Sequence, residues 1–110
     1  MSGPKNADQA GRLAAQLLKR SLPGHSVAVR RECQRATGIA AVIWTRWHVG
    51  PWQWKCKHVR WFLEHRMSQY RGWTRYRYWL TLERLLQAIE RLEDWRPHLN
   101  GPWRSPHERR

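Results

Sequence analysis

A chain of 110 residues has room for one small domain with a single core. Its 21 Lys and Arg against 8 Asp and Glu give a formal charge of +13. A compact chain this basic repels itself, which points to a polyanionic partner; two cysteines exclude a disulfide framework, and no stretch approaches a membrane-spanning apolar run.

Residues 1–5 are expected to be disordered, and they show no signal-peptide pattern. Ala10, Leu13, Ala14, Leu17 and Leu18 then recur at helical spacing, predicting an amphipathic helix over 7–20. Leu22-Pro23-Gly24 ends it by turn chemistry.

A second helix is predicted over 26–48, with Ser26 as its N-cap. Val29, Cys33, Ala36, Ala40, Ile43 and Trp47 make its apolar face. Ala36, Ala40 and Ala41 would let another helix approach closely, while Arg30, Arg31 and Arg35 project from the other side. Gly38 weakens this helix and is a place for a bend. Gly50-Pro51 stops it.

Pro51 suits the first position of a third helix, over 52–69. Its stripe is Trp52, Cys56, Val59, Leu63 and Met67, widened by Phe62; Lys55, Lys57 and Arg60 lie away from it. Gly72 marks the next turn, and Thr74 is the expected N-cap of a fourth helix over 75–94. Trp79, Leu82, Leu86 and Ile89 form that helix's stripe, with Leu85 and Leu92 beside it; Arg77, Arg84 and Arg91 run along its solvated face. Pro97, Gly101 and Pro102 make 96–110 an extended basic tail, pinned at most by Trp103. The expectation is an all-α fold, a small four-helix bundle. It divides into an N-terminal arm and short helix (1–25), a helical bundle (26–95) and the tail.

The charge is uneven. Residues 1–79 carry 15 Lys and Arg against 3 acids, whereas 80–110 carry 6 Arg against 5 acids. A partner-facing surface belongs in the first part. The stretch from Tyr70 to Trp79 holds all three tyrosines, interleaved with Arg71, Arg75, Arg77, Trp73 and Trp79. Arginine offers a charged fork for phosphates and guanine edges, and aromatic rings offer stacking surface. Nine tryptophans exceed what so small a core can hold; about five are expected inside and the rest at contacts.

The segment 51–95 supports a comparison. Trp52-x-x-Lys55-x-x-x-Val59-Arg60-Trp61-Phe62-Leu63-Glu64 is followed by a turn and by Thr74-Arg75-Tyr76-Arg77-Tyr78-Trp79-Leu80-Thr81-Leu82. This resembles the SAM-like core-binding domain that precedes the catalytic domain of tyrosine recombinases and phage integrases. The shared features are an aromatic-rich helix ending in Phe62-Leu63, a capping Thr74, and Tyr78, Leu82 and Leu85 in the next helix. The resemblance covers about 45 of the 110 residues. It implies a helical domain forming half of a clamp on double-stranded DNA. It would place Lys55, Lys57, Arg60, Arg71, Thr74, Arg75 and Arg77 on DNA, and neighbouring protomers in contact. It also implies a departure: Tyr70, Tyr76 and Tyr78 have no catalytic Arg, Lys and His set around them. The implied role is an accessory of recombination on a bacterial mobile element, unable to cut DNA itself.

The expected DNA-binding residues are therefore Arg30, Arg31, Arg35, Lys55, Lys57, Arg60, Arg71, Thr74, Arg75 and Arg77, with Arg75 and Arg77 as readers of base edges. Trp73, Tyr76, Tyr78 and Trp103 are the expected stacking or partner contacts. The alternative functions are a general nucleic-acid-binding or transcriptional regulatory protein, and a protein-interaction subunit of a larger assembly.

No enzymatic motif, cofactor or small-molecule substrate is expected. His25, His48, His58, His65, His98, His107 and Cys56 offer no metal-ligand spacing. The tryptophans are spread over several helices, unlike a membrane-active peptide. A tyrosine recombinase or a second copy is the expected protein partner, and the expected location is the bacterial cytoplasm, at the nucleoid.

Overall fold

A computed structural model describes residues 3–106. All regular structure among them is helical: α1 (Ala7–Ser21), α2 (Val27–Trp47), α3 (Cys56–Trp61), α4 (Gly72–Ala88) and α5 (Leu92–Trp95), with short 3-10 and π turns between and after them. No helix of the described residues is long and apolar enough to cross a membrane.

The start of α1 is capped by Asn6, whose side chain accepts from the Gln9 amide at 2.8 Å. Residues 3–5 are docked rather than disordered, because Pro4 packs against Gly50; a Cβ on Gly50 would lie 2.7 Å from its ring. Residues 1–2 lie outside the described chain. The face of α1 carrying Ala10, Gly11 and Ala14 crosses α2 near Ala36 and Ala40, all buried. At the crossing Thr37 leans on Gly11, leaving only 2.8 Å between a would-be Cβ and its methyl group. Small residues on both helices permit that approach. Ala41, expected in the same role, is only half-buried and faces outward into a groove.

The cap at Ser26 forms as the sequence predicts, its hydroxyl accepting from the Val29 amide at 3.2 Å. Helix α2 runs unbroken through Gly38 and ends at His48, which takes the left-handed conformation at φ 56°.

The third predicted helix is broken. Pro51–Gln53 forms a 3-10 turn, Trp54 is extended, and α3 restarts at Cys56. There the His58 Nδ1 accepts from the Lys55 amide at 2.9 Å, doing the work of a cap. The break carries Trp54 into the core, at 4 % exposure, and leaves Trp52 in solvent at 51 %, opposite to the stripe expected from periodicity. After Trp61 the helix widens to a π turn over Phe62–Arg66. Phe62, Leu63 and Met67 are all buried, as the predicted stripe requires.

Helix α4 starts earlier than predicted. Arg71 is its N-cap and Gly72 its first residue, so Thr74 sits inside the first turn and does not cap. It ends in a Schellman arrangement: Arg91 N–H donates to Leu86 O at 2.8 Å and Glu90 N–H to Gln87 O at 3.1 Å, with Glu90 left-handed at φ 61°. The predicted helix over 75–94 is thereby cut, and α5 is a separate turn.

The tail is not extended over 96–106. Turns at Arg96–His98 and Pro102–Arg104 fold it back, and Leu99 and Trp103 join the core. Trp103 Nε1 donates to Leu99 O at 2.9 Å, and the Arg104 guanidinium lies 5.0 Å from the Trp79 ring centre. Residues 107–110 lie outside the described chain. One core thus runs through arm, bundle and tail alike. Only Trp54, Trp79 and Trp103 of the nine tryptophans are fully inside it, fewer than the five expected.

Candidate nucleic-acid interface

Two contacts align α2 with α4. Arg35 Nε donates to Thr81 Oγ1 at 3.2 Å, and the Arg84 guanidinium meets the Glu32 carboxylate at 2.6 Å. Residue numbers fall on one helix as they rise on the other, so the pair is antiparallel. Between them opens a cleft of about 250 Å³ lined by Ala28, Arg31, Glu32, Arg35 and Arg77. Three guanidinium-bearing residues, 42 to 46 positions apart in sequence across the two helices, share this cleft. Its one acid is already held by Arg84. Neither Arg31, Arg35 nor Arg77 forms an ion pair among the described residues. The cleft therefore presents uncompensated positive charge.

Trp73 stands one turn before Arg77 on α4 and is 59 % exposed, with Tyr76 edge-on to it at 6.3 Å. Leu80 continues the same exposed face. This is an aromatic rim beside a cationic cleft.

A second basic surface lies further along α2. Arg35 and Arg46 are eleven residues apart, about three full turns or ~16 Å along the helix, as are Arg31 and Val42. They share one stripe with Gly38, where an added Cβ would meet nothing within 4 Å. At its far end Ala41, Val42, Thr45, Arg46, Trp61 and Arg66 line an open groove of about 420 Å³. The Arg46 guanidinium lies 4.6 Å from the Trp47 ring centre and 6.0 Å from that of Trp61, and Lys57 Nζ lies 5.4 Å from Trp47. Trp47 also packs on His58 at 4.9 Å. Burial holds the His58 imidazole below its usual range, and the charges of Lys57 and Lys55 add to that.

The expected site residues divide on this frame. Arg31, Arg35 and Arg77 converge. Arg30, Lys55 and Arg71 are exposed outside the cleft. Arg60 is exposed but paired with Glu64 at 2.8 Å, which compensates its charge. Arg75, expected to read base edges, is half-buried with its Nε enclosed and unpartnered among the described residues. Thr74 is half-buried. Tyr78 is half-buried, its ring 6.2 Å from those of Tyr70 and Phe62. Trp103, expected as a surface contact, is core at 5 % exposure. Arg46, Arg66 and Trp61 were not singled out from sequence, although the eleven-residue spacing of Arg35 and Arg46 carried the signal.

Cys33 and Cys56 are free thiols, half-buried rather than fully enclosed. Burial raises the Cys56 thiol above its usual range, against a smaller lowering by Arg60. Among the described residues no three His, Cys, Asp or Glu side chains gather in a way that could hold a metal ion; His107 lies outside them. The chain matches no protein-family model, no curated protein and no solved structure.

Proposed function

We propose that the protein binds double-stranded DNA, with the phosphate backbone seated on Arg31, Arg35 and Arg77. The observation that carries this reading is the convergence of these three arginines on one cleft whose only carboxylate is already paired. The formal charge of +13 supports it, because every copy would release counterions from the polymer. Trp73 and Tyr76 form the rim that meets sugar or base edges. Phosphate contacts of this kind position a protein; they do not by themselves read sequence.

The finer reading follows the sequence resemblance: a SAM-like core-binding bundle without catalytic residues, serving as an accessory to site-specific recombination, with a tyrosine recombinase or a second copy as protein partner. The helical content supports it only at the level of class.

Fluorescence anisotropy of a labelled duplex across a salt series tests the DNA reading. The wild-type protein is expected to bind with a steep salt slope. Arg31→Ala, Arg35→Ala and Arg77→Ala together should flatten that slope by roughly 0.9 per lost phosphate contact. Absence of binding at low salt, or an unchanged slope in the triple variant, overturns it.

A further inference from the structure

The groove at the far end of the α2 stripe differs in kind from the arginine cleft. Its floor is apolar, formed by Ala41, Val42 and half-buried Trp61, and its rim carries Arg46 and Arg66. Neither rim arginine makes an ion pair among the described residues. The exposed Arg46 guanidinium lies close over the Trp47 ring, at 4.6 Å, and at the outer limit of contact with Trp61, at 6.0 Å. Trp47 and Trp61 meet edge-to-face, at 87°, so they do not stack over each other. A volume of about 420 Å³ is at the small end of sites that take small planar ligands.

A duplex alone does not suit this groove. Its bases are stacked and paired, and its outer surface is phosphate and sugar. The ligand that combines a flat apolar face with flanking negative charge is an unpaired nucleotide. We propose that the groove takes one unpaired base against Trp61, with its flanking phosphates on Arg46 and Arg66. The inference rests on the DNA reading above and deepens it. The stripe from Arg31 and Arg35 past the open position at Gly38 to Arg46 covers fifteen residue steps, about 22 Å, free of an intervening side chain at its middle. Duplex on the arginine cleft and a single strand in the groove would lie along one helix face. The preferred ligand is then a duplex that ends in, or branches into, a single strand.

The test compares a blunt labelled duplex with the same duplex bearing a short overhang of unpaired thymidines. Stacking of one base is worth about a tenfold gain, so the overhang duplex should bind about tenfold tighter. Ala41→Leu fills the groove without changing charge; it should abolish the preference and leave blunt-duplex affinity unchanged. Arg66→Gln, at an exposed position, makes the same test without touching the core and should reduce the preference severalfold. Equal binding of blunt and overhang duplexes by the wild type overturns the inference alone and leaves the groove to another occupant, such as an acidic peptide. Retention of the preference in both variants also overturns it, by placing the stacking elsewhere. Failure to bind either duplex overturns this inference and the DNA reading together.

Discussion

Glu32 and Arg84 meet at 2.6 Å across the α2–α4 boundary, and the carboxylate is the better shielded partner, at 13 % exposure against 43 %. The pair does two things. It fastens the helices beside the arginine cleft, and it removes from the cleft the one negative charge that would compete with a phosphate.

Glu32→Gln should therefore tighten duplex binding severalfold and steepen its salt dependence, because Arg84 is released from its acid and adds a free cation beside the cleft. The stability cost should be about 1–2 kcal/mol, more than for a fully exposed ion pair because the Glu32 carboxylate is shielded. Anisotropy titrations and thermal melts measure both. Weaker binding in the variant would mean that the pair shapes the cleft more than it shields it.

Trp103 and Gly101 make a second prediction. A Cβ on Gly101 would lie 2.3 Å from the Trp103 ring, and that ring is enclosed in the core. Gly101→Ala must displace an indole that has nowhere to go, so it should destabilise by about 1–3 kcal/mol, as overpacking does. Trp103→Ala should cost about 3–5 kcal/mol. Urea denaturation checks both values. A neutral Trp103→Ala would show that the segment after α5 adds nothing to the fold.

His58 predicts a pH dependence of stability. Its imidazole titrates below the ordinary histidine value because burial, and then Lys57 and Lys55, disfavour the cation. In the unfolded chain the group takes up its proton near pH 6.5. The unfolded state thus binds more protons in the window between that value and the lowered folded one. Stability should be full above about pH 6.5 and fall as the pH drops through the window. His58→Gln keeps an acceptor for the Lys55 amide and should flatten this dependence. Thermal melts between neutral pH and about pH 5, above the carboxylate range, decide the matter. An equal slope in the variant would assign the acid sensitivity to another group.

Periodicity made much of the fold legible. The stripe Ala36, Ala40, Ile43 on α2 and the stripe Trp79, Leu82, Leu86 on α4 are buried as the spacing predicts, because a regular helix repeats every 3.6 residues whatever surrounds it. Periodicity failed where a helix stops. Nothing local in Trp52-Gln53-Trp54 says which indole the core will accept. That choice follows from the 3-10 turn at Pro51–Gln53 and the extended Trp54. Glu90 is similar: a non-glycine residue in the left-handed region gives no composition signal for a helix end.

What the amino-acid sequence determined by itself is the class: helical, strongly basic and rich in tryptophan, with its cations concentrated before residue 80. These are properties of composition and of short-range repeat, and they do not depend on how helices pack. Which cations act together was decided only in three dimensions. Arg31, Arg35 and Arg77 share a cleft because α2 packs beside α4, Arg60 is spent on Glu64, and Arg75 and Trp103 are drawn inward. Charge is additive along a chain, but a field able to hold a phosphate depends on distances between residues far apart in sequence, and those distances are set by the packing of the core.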